Sequence, residues 1–551
     1  MISTAPTRRR PEGALDASVF QASAQAAAGR AASRGLADRP VAWRMPPKAI
    51  AARLFLTAWL VYALHFATDV VREHYLTFAI GDRLSFRVDE YANLHPDLFE
   101  KPGYGWHIGN NPGVSMMAAL PYAITRPLVE PLVARVQAAR AARGETAPPA
   151  FTTERSRSRI FFAEAWRRGI DVKLGLGALA THLLFMAPSS ALAVVLMFGV
   201  LRRVFNSDRK AVWLALLYAF GTPVFFRTGF LNHNLVLGHI AFAGFLVMWN
   251  PSESARLSMR ARAFLGGVAG GTTVLYDYSG VVMLLGLFVY GIVRSGRALG
   301  RRHAMRLSTW YVLGSVPPML LLWWYQYRSF GHPLLPGQHW MPPVEWIELG
   351  YQGYGGPQLE LLAALAFDHR FGLFVVAPIF ALALAAPLVD RGEQRRLPVL
   401  EMLTCLGLFV ALWVFFAGSN YTRLQWNTGI RYLAPIFPFL FLPAVVVLLR
   451  LRPTLIFGVG VFSIIVSWCM AMDREVWHPL GAFAPVASIF AGGFELPSLT
   501  TLSRMSAQFG QFVGHGVSPV PVFLLVAIIL WAVWSDRFRG VSPIGDRAED
   551  G

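Results

Sequence analysis

The chain has 551 residues, of which 55% are hydrophobic and 15% charged, with 17 Trp and 40 Phe. Soluble domains carry charge at about a quarter of their positions, so this composition excludes a soluble enzyme, a disordered chain and a fibrous one, and leaves a polytopic membrane protein. The net charge of +18 reads as arginine in short cytoplasmic loops rather than as a nucleic-acid footprint, and two cysteines, Cys405 and Cys469, exclude a disulfide framework and a thiolate metal site.

Residues 1–50 are polar and rich in Ala and Arg, with Arg8-Arg9-Arg10 near the start. No short apolar core with a small-residue cleavage site precedes the first long apolar run. The segment reads as an uncleaved, disordered cytoplasmic tail. Apolar runs then follow near 51–72, 178–201, 211–229, 235–249, 263–279, 281–293, 308–326, 371–389, 398–417, 432–449, 454–472 and 519–535. With the N-terminus inside, the inner loops hold Arg202, Arg203, Arg209 and Lys210, then Arg256, Arg260 and Arg262, then Arg294, Arg297, Arg301, Arg302 and Arg306. Further along they hold Arg391, Arg395 and Arg396, then Arg450 and Arg452, and last Arg537 and Arg539. That is the positive-inside asymmetry, and twelve spans with both termini cytoplasmic satisfy it.

Residues 112–124 are apolar but too short to span, and read as a helix lying in the outer interface. Residues 73–177 are then one long extracytoplasmic loop, whose stretch 134–173 is basic and resembles an insertion. Other outer segments are 327–370, 418–431 and 473–518. The expected fold is an all-α integral membrane protein with about 12 transmembrane helices and a large first extracytoplasmic loop carrying interfacial helices. Residues 51–450 form its catalytic module, 451–540 its C-terminal helices and 541–551 a cytoplasmic tail. No internal repeat of the transporter kind is visible, and the polar mass lies on one face, as in an enzyme working at the outer membrane surface.

Five constellations are candidates for chemistry. In Arg87-Val88-Asp89-Glu90-Tyr91, adjacent carboxylates serve as a general base or a divalent-cation site, or cap a short helix. His107-Ile108-Gly109-Asn110-Asn111-Pro112-Gly113 is a turn into the interfacial helix, or a source of amide donors for a phosphate or sugar. Asn232-His233-Asn234 is a tight outer loop, or places a histidine donor on a phosphate. Asp277, in Tyr276-Asp277-Tyr278, sits near the outer end of a span, where a carboxylate costs about 2.5–3.5 kcal/mol and needs a reason. Arg423 and Arg431 lie on the outer side against the charge bias, where arginine holds an anionic headgroup. Trp426 and Tyr432 beside them suit the interfacial aromatic belt. His332, His339 and His478 are scattered in outer loops without ligand spacing. No P-loop, dinucleotide fingerprint, serine elbow or zinc spacing appears, so a group-transfer enzyme of this design needs a lipid-carried donor.

Taken in order, these segments resemble the GT-C membrane glycosyltransferases, the group of the protein O-mannosyltransferases and lipid A aminoarabinose transferases. Asp89-Glu90 matches an Asp-Glu pair early in the first outer loop, and Asn110-Asn111-Pro112-Gly113 a later segment that opens an interfacial helix. Arg202-Arg203-Val204-Phe205 is similar to the family's Arg-Arg-Leu-Phe. The segments Phe330-Gly331-His332-Pro333-Leu334, Phe367-Asp368-His369-Arg370-Phe371-Gly372 and Gly429-Ile430-Arg431-Tyr432-Leu433-Ala434-Pro435 are similar to stretches common in bacterial members. The resemblance covers about residues 51–450. Two departures stand out: Asn111 replaces the family's lysine, and Asn232 and Asn234 flank His233 where many members carry a second acid, a role Asp277 would then take.

The resemblance implies an inverting transfer of sugar from a polyprenyl-phosphate-linked donor to an acceptor hydroxyl on a lipid, glycan or protein. Asp89 would be the general base with Glu90 beside it. Asn110, Asn111, His233, Asp277, Arg423, Arg431 and Tyr432 would bind substrate. A divalent cation (Mg or Mn) is the one cofactor the acidic pair would accommodate. The expected setting is the cytoplasmic membrane of a bacterium, with the active site outside and no nucleic-acid partner. Two other readings stay open: a lipid-linked sugar flippase or transporter, and a non-catalytic envelope assembly protein of the same fold.

Overall fold

The computed structural model describes residues 45–149, 156–251, 257–343, 350, 353–423, 425, 430–473, 478–505 and 517–535. Contacts separate Met1–Pro46 from Pro47–Gly551, and the fold below is that of the second unit. The tail residues 1–44 and 541–551, Arg155, Arg256, Arg537, Arg539, Leu424 and the loop residues 426–429 lie outside the described residues.

The first helix, α1, starts at Pro47, inside the segment read as tail, and runs to Leu64. Proline at a helix start has the right φ and needs no partner for its missing N–H. A short connection leads to α2 (Arg72–Arg83), then to an antiparallel hairpin of β1 (Leu98–Lys101) and β2 (Gly105–Ile108). The interfacial helix of the sequence reading is longer than expected: α3 spans Gly113–Ala142 and contains Pro121, Pro127 and Pro131. Its Val114, Ser115, Ala118 and Tyr122 are buried, while Met117, Leu120, Ile124 and Leu128 stay exposed at helical spacing. This two-faced pattern is that of a helix lying along an interface.

After α4 (Ser156–Arg167) comes α5 (Asp171–Phe205), 35 residues with a π turn at His182–Met186. At 1.5 Å per residue it is about 52 Å long and overshoots a ~30 Å hydrocarbon core. The bundle continues with α6 (Asp208–Phe220), α7 (Val224–Thr228), α8 (His233–Trp249), α9 (Met259–Tyr276), α10 (Gly280–Leu299) and α11 (Arg301–Phe330). It closes with α12 (Leu359–Phe367), α13 (Pro378–Val389), α14 (Val399–Ala417), α15 (Ala434–Leu448), α16 (Pro453–Met472), α17 (Gly481–Gly492), α18 (Pro497–Met505) and α19 (Val520–Trp534).

The chain is thus an all-helical polytopic membrane protein with one small hairpin among its described residues. Five helices, α1, α5, α10, α14 and α16, are long and apolar enough to cross a membrane, and α8, α13, α15, α17 and α19 are shorter apolar helices. The spans expected at 211–229, 263–279 and 308–326 fall on α6 with α7, α9 and α11, which are less apolar than either set. In α9, Arg260 and Arg262 of the first turn lower the apolarity most, and glycines add to it. A Cβ on Gly267 would overlap the Tyr311 carbonyl of α11, and one on Gly314 the Phe264 carbonyl of α9. Close helix approach through small residues is how helices associate in lipid, and it lowers hydropathy while tightening the bundle. The expected span 371–389 is broken between Val376 and Pro378.

The basic stretch 134–173, awkward for the orientation reading, is neutralised in part within the fold. Arg140 holds Asp171 with two bonds of 2.9 and 2.7 Å, and Arg168 binds Glu164 at 2.8 Å. Lys173 sits 2.9 Å from Asp82 and 3.0 Å from Glu90.

Candidate active site

The connection after α1 and the first turn of α2 begin a buried charged cluster. Glu73 accepts from the Asn110 amide at 3.0 Å, and the same oxygen lies 3.0 Å from Nδ1 of His233 and 3.4 Å from Nε of Arg72. The Arg72 guanidinium also pairs with Asp97. On the other side of the imidazole, Nε2 of His233 faces Asp277 at 3.4 Å. An imidazole with a carboxylate oxygen at each nitrogen must donate from both, which is the charged form. The Glu73 side chain is 4% exposed and that of Asp277 31%, so Asp277 is the member open to a substrate.

Local sequence explains how these residues meet. Asn232 caps α8 by accepting from the Leu235 N–H at 3.2 Å, which puts His233 in the first turn. Asp277 caps the other end of α9, and its Oδ1 accepts from the Ser279 N–H at 2.8 Å. Ser115 of α3 donates to the Glu73 carbonyl at 2.8 Å, and the Asn111 amide donates to the Val274 carbonyl at 2.6 Å. A Cβ on Gly113 would lie 2.8 Å from the Leu275 carbonyl oxygen. The Asn-Pro-Gly turn therefore docks backbone to backbone against the end of α9.

The charges outside the spans are tuned by their neighbours. Burial alone would raise the Glu73 carboxyl, but Arg72 and His233 hold it well below the usual carboxylate range. Burial acts the same way on Asp97, and Arg72, His95 and Arg431 outweigh it and pull the group down. His95 is pushed below its ordinary value mainly by burial, and its Nδ1 accepts from the Asp97 N–H at 3.0 Å. Arg431 acts electrostatically on both Asp97 and His95 and lies 5.1 Å from the Tyr432 ring centre. Among the described residues it has no carboxylate within ion-pair distance.

Of the residues singled out in the sequence, the structure brings together Asn110, His233 and Asp277, with Arg431 and Tyr432 alongside. It sets the others apart. Asp89 is 44% exposed at its side chain, pairs with Arg87 at 2.9 Å and accepts from the Trp106 N–H at 2.8 Å, fastening the hairpin. Glu90 pairs with Lys173 at 3.0 Å and Arg83 at 3.3 Å. Asn111 is buried against α9, and Arg423 is held by Gln358 and Glu360, each at 3.1 Å. Sequence reasoning missed Arg72, Glu73, His95 and Asp97. The available signal was an Arg-Glu pair directly past the first apolar run, opening a helix. Among the described residues no group of three His, Cys, Asp or Glu side chains is arranged to hold a metal ion, and the acids of this cluster are already matched by Arg72 and His233.

Fold and site together define a multi-pass helical membrane protein with a charged site at one end of its bundle. No family model and no curated protein matches the chain. Among solved structures it is similar to ArnT from Cupriavidus metallidurans bound to undecaprenyl phosphate, at 15% identity and a TM-score of 0.45, over 88% of this chain and 75% of that one. The apo form of the same protein gives 16% identity and 0.45, over 88% and 74%.

Proposed function

We propose that the chain is a membrane glycosyltransferase that moves a sugar from a polyprenyl-phosphate-linked donor to an acceptor hydroxyl at the outer membrane surface. The observation that carries this reading is the pairing of opposite needs in one cluster: an accessible carboxylate, Asp277, oriented by His233, and an arginine, Arg431, without a carboxylate partner among the described residues. The motif order in the sequence supports the donor class.

In this mechanism Asp277 takes the proton from the acceptor hydroxyl. The acceptor oxygen attacks the anomeric carbon opposite the phosphate, and the carbon–oxygen bond to phosphate breaks with inversion. Its electron pair leaves on the polyprenyl phosphate, whose charge Arg431 stabilises. His233 is a positioning residue: it fixes Asp277 and is itself fixed by Glu73. This assigns the base to Asp277 rather than to Asp89, whose oxygens already serve the hairpin. No step passes through a metal ion.

The test is a deletion strain complemented with wild type, Asp277→Asn or Asp89→Asn, its envelope glycans and lipid-linked sugars profiled by mass spectrometry. The expected result is a glycan lacking one sugar and an accumulated donor, corrected by wild type and Asp89→Asn. Purified Asp277→Asn should be slower by about 10²–10⁴. Correction by Asp277→Asn at the wild-type rate would remove Asp277 as the base. Donor accumulation with no acceptor product from purified wild-type enzyme would favour lipid transport instead.

A further inference from the structure

A second charged site lies at the other end of the same helices. A cavity of about 490 Å³ opens between α9, α10, the start of α11 and the start of α14. Arg262, Arg294, Arg297 and Glu401 line it, over a floor that includes Phe288, Ile292 and Leu307. Along α9, Arg262 and Asp277 are separated by 15 residues (277 − 262), or about 22 Å of rise. The cavity is therefore distinct from the candidate active site.

The charges in the cavity do not balance. Glu401 is buried and already answered: Arg294 pairs with it and the Tyr290 hydroxyl donates to it at 2.9 Å. Arg294 also donates to the Trp249 carbonyl at 2.9 Å. Arg262 and Arg297 are left without a carboxylate among the described residues, and the buried Nε of Arg262 has no hydrogen-bond partner. A buried donor without an acceptor is costly unless a ligand completes it. Within one helical turn of lining residues along the sequence, Leu285 and Val289 of α10, Met305 of α11 and Leu403 of α14 present exposed apolar surface.

We propose that this cavity binds the phosphate headgroup of an anionic membrane lipid. Arg262 and Arg297 hold the phosphate oxygens. The lipid's apolar part lies against the floor and the neighbouring leucine and valine surface. The ligand chemistry is a phosphate anion; the apolar floor is what assigns it to an amphiphile rather than to free phosphate. Basic pockets between helices at a membrane face hold acidic lipids in this way.

The experiment uses the full chain purified in detergent. Thermal melting is followed while phosphatidylglycerol, phosphatidylcholine or inorganic phosphate is added, for wild type, Arg262→Gln/Arg297→Gln and the surface control Arg203→Gln. Wild type and control should be stabilised by phosphatidylglycerol at lower concentration than by phosphatidylcholine. The double variant should need roughly 30-fold more phosphatidylglycerol, about 5-fold per arginine. A folded double variant that keeps the wild-type response overturns the site. Equal responses to the two lipids overturn it as well. Stabilisation by inorganic phosphate at the same concentration as by the lipid overturns the amphiphile assignment.

Discussion

Arg431 and Asp277 divide the proposed reaction between them, one facing the departing charge and the other the incoming proton. Replacing Arg431 with Ala should reduce kcat by about 10²–10³, the range for losing one donor to a developing oxyanion, with the melting temperature little changed. A kinetic assay with purified donor checks this; unchanged turnover would move phosphate stabilisation elsewhere. Asn111→Ala should behave in the opposite way. It strands the Val274 carbonyl and should cost about 1–3 kcal/mol of stability, with turnover per folded molecule retained. Denaturation and assay of the same preparation separate the two effects. His233 and Asp277 were legible in the sequence because polar residues at the ends of apolar runs demand an explanation. Glu73 was not, because its importance comes from His233 and Asn110, which reach it only in the fold. Asp89 attracted attention as half of an acidic pair, and its hairpin partner Trp106 cannot be inferred from spacing alone.

At the scale of elements, α9 and α11 show why hydropathy and packing give different pictures. Gly267 and Gly314 let two backbones approach where side chains would separate them. Gly267→Leu should destabilise the protein by about 1–3 kcal/mol or more, the usual cost of forcing atoms into a packed contact. In α16, nothing lies within 4 Å of a Cβ built at Gly458, so Gly458→Ala should be neutral or slightly stabilising. Thermal melts of both variants in one detergent give the comparison, and a neutral Gly267→Leu would contradict the close approach. The helical character of 263–279 and 308–326 was readable in the sequence. Their glycines were the trace of this contact, and they have no meaning until the partner helix is known. For α3, the apolar run marked only 112–124, yet the helix continues past Pro127 and Pro131 to Ala142. Packing against α2 and α5 holds it beyond the point where local preference alone would end it.

For the whole molecule, the alternation of apolar runs and arginine-rich loops made the bundle legible. The charged cluster adds a tie between distant parts of it. Glu73 follows the first helix, His233 opens α8 and Asp277 closes α9, so three segments meet at one set of ionised groups. The Glu73 and Asp97 carboxyls are held below their ordinary values in the fold. A depressed carboxyl contributes stability that is fully present above its unfolded value, near pH 4, and is lost as pH falls toward its folded value. Wild type should therefore lose melting temperature in two stages as pH falls: first near pH 6.5, where the unfolded chain protonates His95, which burial holds below its ordinary value in the fold, and again below about pH 4 as these carboxyls take up protons. Glu73→Gln lacks one of these groups, so it should start from a lower melting temperature and fall less steeply over the same acid range. The measurement is a melting curve at each pH in one detergent and at one ionic strength. Parallel curves for the two proteins would mean that Glu73 is not held as a carboxylate by Arg72 and His233, and the tie between the first loop and the bundle would have to come from the neutral bonds of Asn110, Asn111 and Ser115 instead.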